Sequence, residues 1–167
     1  AAVLPAATLR VDFTALGVPA GTTRTWVGAL SNAWATAANW LPSGVPASGE
    51  NLFIPAGRLN NPRLSAAVNV GDLVLETGST LDPNGFDVTV SGNLDASGPI
   101  AGSGRVVFAG ANKIVRGVVP QAAVSGSVTA SGPTTVNGAL SLNPGSFNVR
   151  ANVTVTGDLA LTGVGRL

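Results

Sequence analysis

The side chains that could do chemistry in this chain are few, and carboxylates are the main kind. The 167 residues include no His and no Cys. This absence removes nucleophile–His pairs and the usual zinc, copper and haem ligands. Lys113 is the one lysine, and no Ser-x-x-Lys or Gly-x-Ser-x-Gly motif surrounds it. Catalysis would therefore have to rely on acids.

Six carboxylates follow residue 70 and could act as general acids or bases. They are Asp72, Glu76, Asp82, Asp87, Asp95 and Asp158. A glycosidase needs two carboxyl groups about 5–10 Å apart in a groove, and Asp72, Asp87 and Asp158 share a face only in a favourable register. These three also lie at or near Gly in predicted turns, where Asp is common because its side chain can hydrogen-bond to the nearby backbone. We therefore predict that the chain is not an enzyme and takes no cofactor.

Residues 82–87 carry the pattern that comes nearest to a metal site. The run Asp-Pro-Asn-Gly-Phe-Asp is similar to loops that hold calcium through alternating oxygen ligands. The flanking spacing of an EF-hand is missing, however. An Asn-Gly turn between two strands explains the same residues, and we predict a turn without a metal.

Charge and hydropathy exclude further classes of function. The net charge is +1 and charged residues make up 10% of the chain, against about 25% in typical soluble domains. No basic run marks a nucleic-acid surface, and no segment approaches the roughly 18 apolar residues of a membrane helix. We predict neither nucleic-acid binding nor membrane insertion. The low charge suits an extracellular all-β protein, or one that buries much of its surface in an assembly.

Two echoes in the sequence predict how the elements are arranged. Residues 88–94, Val-Thr-Val-Ser-Gly-Asn-Leu, return 65 positions later as Val-Thr-Val-Thr-Gly-Asp-Leu in residues 153–159. Residues 73–79 resemble residues 140–146 at a spacing of 67. Each interval would hold about three coils of roughly 20–22 residues, as in short-repeat solenoids.

Residues 66–167 have one texture throughout, in which short apolar strands alternate with Gly, Asn, Pro and Ser turns. They show no helical period and no βαβ alternation. A sandwich would need longer strands joined as hairpins. We therefore predict an all-β, right-handed parallel β-solenoid (β-helix) with an N-terminal cap region, and about five coils in residues 66–167.

The repeated unit also predicts the corners of the coils. Gly92 and Gly157 are expected to supply a positive φ where the chain turns. Asn93 and Asp158 follow them, and could bond their own backbone or stack with like residues in neighbouring coils.

Residues 25–65 hold all three tryptophans, Trp26, Trp34 and Trp40, directly before the repeats. The order Trp-x-Gly, Trp, Asn-Trp, Val-Pro and an apolar strand ending in Ile-Pro resembles a segment of large bacterial secreted and surface proteins. In those proteins the segment precedes parallel β-helix repeats of the autotransporter or adhesin kind. The resemblance covers about residues 24–110, and it implies an extracellular or cell-surface location in bacteria.

Two roles stay open for these tryptophans. The end of a solenoid exposes apolar interior and unpaired backbone, so a hydrophobic cap is needed there. Alternatively, the three rings could form a platform on which glycans stack. Three Trp residues so close to the repeats favour the cap.

Residues 1–24 are predicted to form an arm. Leu9, Val11 and Phe13 alternate with polar residues, which is typical of a half-buried strand. This strand either belongs to its own domain or is donated to a neighbouring subunit by β-augmentation.

The C-terminal residues predict an open stacking end formed by Leu159, Leu161 and Leu167. Residues 162–167 resemble residues 101–106, which lead into a strand, so a coil begins there. The expected function is a non-enzymatic extracellular structural protein, a subunit or segment of a bacterial surface fibre. Its partner would be a second copy or an adjoining segment of the same protein. The alternative is a carbohydrate-binding or adhesin module with glycans as partners.

Overall fold

The structure is a computed structural model that describes residues 20–161 of the chain. The predicted strand with Leu9, Val11 and Phe13 lies outside the described residues, as does the predicted stacking residue Leu167. The described part consists of fifteen short β-strands and one 3₁₀ turn at Ala37–Asn39.

The strands are mostly three or four residues long. They are β1 Arg24–Trp26, β2 Trp40–Leu41, β3 Leu52–Ile54, β4 Val68–Val70, β5 Leu73–Leu75, β6 Asp87–Val90, β7 Leu94–Ala96, β8 Arg105–Phe108, β9 Lys113–Val119, β10 Ala122–Val124, β11 Ser127–Val136, β12 Leu140–Leu142, β13 Ser146–Val149, β14 Val153–Val155 and β15 Leu159–Leu161.

These strands coil into a parallel β-solenoid of about six turns, which confirms the predicted all-β solenoid. Each turn passes through three walls, which we name A, B and C. Wall A stacks β2, β1, β3, β5, β7, β9, β11 and β13, and wall C stacks β4, β6, β8, β10, β12 and β15. Wall B begins as isolated bridges through Ala33, Arg63 and Asp82. It continues with residues 117–119 and 134–136 and with β14.

Alternation along each strand places one face inside the solenoid. In β6, Val88 and Val90 are buried while Thr89 is partly exposed. Val88 pairs with Val106 on the next turn, and Val106 pairs with Ala122. Burying a Val or Leu side chain contributes about 1.5–3 kcal/mol, so columns of this kind hold the turns together along the axis.

The 65-residue echo does not mark equivalent positions, although it led to the correct fold. Val88 lies in β6 of wall C, whereas Val153 lies in β14 of wall B. The ladder gives the true step, because Leu52 pairs with Leu73 and Leu73 pairs with Leu94, 21 positions later each time. A Val-Thr-Val strand fits any wall, since every wall needs the same in–out alternation.

Gly92 and Gly157 lie at corners as predicted, but the predicted reason was wrong. Neither residue has a positive φ. A Cβ at Gly92 would lie 2.5 Å from the backbone N of Asp72, and one at Gly157 would lie 2.6 Å from the carbonyl carbon of Gly138. Glycine is required there because the corners of neighbouring turns touch backbone to backbone.

Candidate functional site

The three tryptophans pack together at the N-terminal end of the solenoid. Trp26, Trp34 and Trp40 are all buried, with at most 4% exposure. The ring of Trp40 meets Trp26 edge-on at a centroid distance of 5.0 Å and meets Trp34 at 4.7 Å. The indole N–H of Trp26 donates to the carbonyl of Asn60 at 2.7 Å, and that of Trp40 donates to the carbonyl of Trp34 at 2.8 Å. A glycan platform needs an exposed ring face, and these rings have none.

The same end is closed by β2 and by a buried amide. The strand β2 adds to the edge of β1 in the antiparallel sense, unlike the other described strand pairs. Asn39 is fully buried. Its Oδ1 accepts the N–H groups of Leu30 and Ser31, and its Nδ2 donates to the Ser31 hydroxyl and the Ala33 carbonyl. A fully bonded amide of this kind fixes the loop over the end of the core.

The parallel ladder begins inside the region predicted as the cap. The strand β3 pairs in parallel with β1 on one side and with β5 on the other. Residues 25–65 therefore contain the first strands of wall A as well as the Trp cluster, and residue 66 marks no break in the sheet.

The last described turn exposes side chains at inward positions. Leu159 pairs with Leu140, and Leu161 pairs with Leu142. Leu140 and Leu142 are buried, whereas Leu159 is 47% exposed and Leu161 is 54% exposed. Val149 in β13 is exposed to a similar degree. Two of the three predicted stacking residues thus lie on β15, the outermost described strand of wall C. We call the exposed apolar side of this last described turn its apolar end face.

Four carboxylates form ion pairs between neighbouring turns. The pairs are Arg24 with Glu50 at 2.6 Å, Arg63 with Asp82 at 3.1 Å, Arg105 with Asp87 at 2.6 Å, and Arg116 with Asp95. Asp87 and Asp95 stand at positions paired directly with their arginines in the ladder. The two more exposed pairs, Arg63 with Asp82 and Arg105 with Asp87, contribute only about 0–1 kcal/mol each.

The three acids whose shared face was considered for catalysis, Asp72, Asp87 and Asp158, are not brought together, whereas Asp95 lines one pocket with Asp72 and another with Glu76. Leu159 lies four ladder steps from Val88. Asp158 directly precedes Leu159 and Asp87 directly precedes Val88, so the two acids lie four turns apart. Four steps of strand spacing amount to about 19 Å, which exceeds the carboxyl separation of glycosidases. Asp72 lies at a different corner, before wall A.

Residues 82–87 form an Asn-Gly turn. Asn84 and Gly85 both have positive φ, at 52° and 87°, and the N–H of Phe86 donates to the carbonyl of Pro83 at 2.9 Å, the pattern of a type I′ turn. Asp82 Oδ1 accepts the N–H of Asn84 at 2.8 Å. Within residues 20–161, no group of three or more acidic, His or Cys side chains is placed to hold a metal.

A ladder of Asn and Asp side chains runs along the corner before wall A. Asn51 Oδ1 accepts the backbone N–H of Asp72 at 2.8 Å, and Asp72 Oδ1 accepts that of Asn93 at 2.7 Å. Asn93 Oδ1 accepts the N–H of Ile114 at 3.1 Å. We call these residues the corner ladder. The predicted stacking of Asn93 with like residues is thus present, whereas Asp158 has no side-chain hydrogen bond among the described residues.

The sequence contains a 21-residue repeat that indicates the corner ladder. The longer repeat, at a spacing of 65 residues, drew attention away from it. Asn51-Leu52, Asp72-Leu73 and Asn93-Leu94 recur every 21 residues, which is the step of the wall A register.

No helix in the described range is long and apolar enough to cross a membrane. The chain matches no protein-family model, no curated protein and no solved structure. The resemblance to autotransporter and adhesin segments therefore stays a prediction, and the arguments for function depend on the end faces and corners described above.

Acid should destabilise the solenoid through two of its ion pairs. The hydrogen bond from Arg24 lowers the pKa of Glu50. Burial raises the pKa of Asp95, but hydrogen bonds from Arg116 and Ser97 outweigh it, so the pKa is lowered. A carboxylate with a lowered pKa stabilises the fold above its unfolded pKa, and that contribution is lost as the pH falls through the folded value. We expect the melting temperature to fall below about pH 4.

Circular dichroism melts over a pH series would measure this effect. The variant that carries both Glu50→Gln and Asp95→Asn should show a shallower decline in acid than the natural sequence. An identical decline in both proteins would mean that other groups cause the acid sensitivity.

Proposed function

We propose that this chain is a non-enzymatic structural protein of the bacterial cell surface, a subunit or segment of a fibre built from stacked β-coils. The apolar end face of the last described turn carries the proposal. Leu159 and Leu161 occupy inward positions of wall C and are about half exposed. In the inner turns the next coil, about 4.8 Å along the axis, covers such positions. Another coil, from a second copy or an adjoining segment, would bury both leucines in the same way.

The N-terminal end offers a complementary surface on wall C. The Trp cluster and β2 close wall A and the core, whereas wall C starts at β4. A groove of about 420 Å³ runs beside β4, with Val45, Pro46, Ala66 and Val68 among its lining residues. In a head-to-tail contact, β15 of one copy would face the groove beside β4 of the next, where the N–H of Gly49 already bonds to the Asn69 carbonyl at 3.1 Å. A repeated contact of this kind generates a filament.

Strand donation by residues 1–24 would use the same groove, and there it is the alternative to the contact with β15. The predicted strand has apolar side chains at Leu9, Val11 and Phe13 on one face. Strand addition uses main-chain hydrogen bonds for affinity and pockets for alternate side chains, and the apolar lining of the groove supports this second contact.

The use of the carboxylates supports a structural function. Glu50, Asp82, Asp87 and Asp95 are engaged by arginines of neighbouring turns. Glu76 accepts the backbone N–H of Ala56 at 2.9 Å, and Asp72 belongs to the corner ladder. In each case the acid joins two turns.

Replacing Leu161 with arginine tests the proposal. An arginine at the centre of an apolar contact would be buried without a partner, which is strongly unfavourable. We expect the natural chain to associate as its concentration rises, in sedimentation velocity and in electron micrographs. The Leu161→Arg variant should stay monomeric, with an unchanged circular dichroism spectrum because the side chain is already half exposed.

Ile114→Arg is the matched control, since Ile114 is 48% exposed and lies in β9 of a middle turn. This variant should associate as the natural chain does. The proposal would be contradicted by a natural chain that stays monomeric at every concentration, or by equal association of the Leu161→Arg variant.

A further inference from the structure

The chain contains two Asn-Gly pairs, and we propose that one of them, Asn137–Gly138, is a site of spontaneous deamidation in the folded protein. In this reaction the amide nitrogen of the following residue attacks the side-chain carbonyl carbon of Asn, and ammonia leaves. Water then opens the resulting succinimide to Asp or isoaspartate. The reaction is easiest before Gly, which has no side chain to hinder the attack. The other pair, Asn84–Gly85, serves as an internal comparison.

Asn137 is exposed at the corner between β11 and β12. Its backbone N–H donates to the carbonyl of Val119 at 2.9 Å. Among the described residues its side-chain amide has no hydrogen-bond partner, and the backbone N–H of Gly138 has no acceptor. The attacked side-chain carbon of Asn137 is therefore open to solvent. The attacking nitrogen of Gly138 makes no competing hydrogen bond among the described residues.

Asn84 is held at every group that the reaction would use. Its Oδ1 accepts a hydrogen bond from Arg63 at 2.6 Å, and its Nδ2 donates to the carbonyl of Leu64 at 3.0 Å. The N–H of Gly85, the attacking group, donates to the carbonyl of Ser103 at 2.8 Å. These bonds must break before a succinimide ring can close.

The product would change the corner. Isoaspartate routes the main chain through the side-chain carbon and lengthens the backbone by one atom. The carbonyl of Gly138 accepts the N–H of Gly157 from the next turn at 3.1 Å. A lengthened backbone at Asn137 would shift this contact, so deamidation would loosen the last two turns against each other.

Incubating the purified chain in mildly alkaline buffer and mapping its peptides by mass spectrometry tests the proposal. The peptide with Asn137 should convert, with the mass change of NH₂ to OH, about tenfold faster or more than the peptide with Asn84, since three hydrogen bonds must open before Asn84 can react. Isoaspartate would be distinguished from Asp by its fragmentation.

Two variants make the comparison sharper. Asn137→Gln should abolish conversion at that corner, because the longer side chain closes a less favourable six-membered ring. Arg63→Ala should speed conversion at Asn84 by removing the bond to its Oδ1. Equal rates at the two sites, or faster conversion at Asn84 in the natural folded chain, would overturn the proposal.

Discussion

Replacing Trp40 with alanine should lower the free energy of unfolding by about 3–5 kcal/mol, the usual cost of removing a large buried aromatic. Trp40 is 1% exposed and its ring contacts both Trp26 and Trp34. The substitution would leave a cavity at the end of the core and remove the indole bond to the Trp34 carbonyl. Denaturant unfolding monitored by circular dichroism would measure the loss.

Leu59→Ala is the control for this prediction, because Leu59 is almost fully exposed. Its effect should stay within about 0.5 kcal/mol. A loss below about 1 kcal/mol for Trp40→Ala, within the range of an ordinary substitution, would show that the Trp cluster does not cap the solenoid.

Asp72→Ala should cost about 1–3 kcal/mol, because it leaves a partly buried backbone N–H without an acceptor. That group belongs to Asn93, and it lies 2.7 Å from Asp72 Oδ1 in the corner ladder. Asp72→Asn keeps an oxygen in the same place and should restore most of the stability. Thermal melts of the two variants beside the natural chain would separate the hydrogen bond from the charge.

Asp158→Ala provides the matched control. Asp158 also stands at a corner but is exposed, and it has no side-chain hydrogen bond among residues 20–161. Its replacement should change stability by less than about 0.5 kcal/mol. Equal losses at Asp72 and Asp158 would mean that the corner ladder contributes nothing specific.

The fold class could be predicted because it depends on the overall pattern of strands and turns and not on which residues pair. Short strands, frequent Gly and Asn turns and the lack of a helical period leave few alternatives to stacked coils. Register could not be predicted in the same way, because inward columns accept Val, Leu, Ala and Phe alike. In wall C, Val88 pairs with Val106 and Val90 pairs with Phe108. Similar strands therefore occur on different walls, and the echo between residues 88–94 and 153–159 linked wall C to wall B.

The residues at the corners indicate the register between turns more clearly than the residues in the strands do. A backbone N–H at a corner needs an acceptor, and in the corner ladder an Asn or Asp oxygen from the turn before supplies it. One turn earlier, the hydroxyl of Thr23 accepts the N–H of Asn51 at 2.7 Å. This requirement produced the 21-residue spacing of Asn51, Asp72 and Asn93. Lys113-Ile114 ends the pattern in the next turn, and the wall A step then falls from 21 to 15 positions, from Val115 to Ala130.

The end faces could be predicted in part. The density of tryptophans before the repeats indicated a cap, and Trp26, Trp34 and Trp40 are buried at that end. Burial itself was not visible in the sequence, because an exposed glycan platform and a cap use the same residue type. The exposure of Leu159 and Leu161 depends on which turn they belong to, and that follows only from the register with β12.

Hydrogen exchange measured at increasing protein concentration tests the central claim, that the solenoid joins others through its end faces. We expect amides of residues 146–161 to exchange rapidly in dilute protein and to become protected as the concentration rises, together with the amides of β4. The outer faces of the middle turns should be unaffected. Protection that appears on those middle turns instead, or exchange in residues 146–161 that does not depend on concentration, would contradict end-to-end stacking.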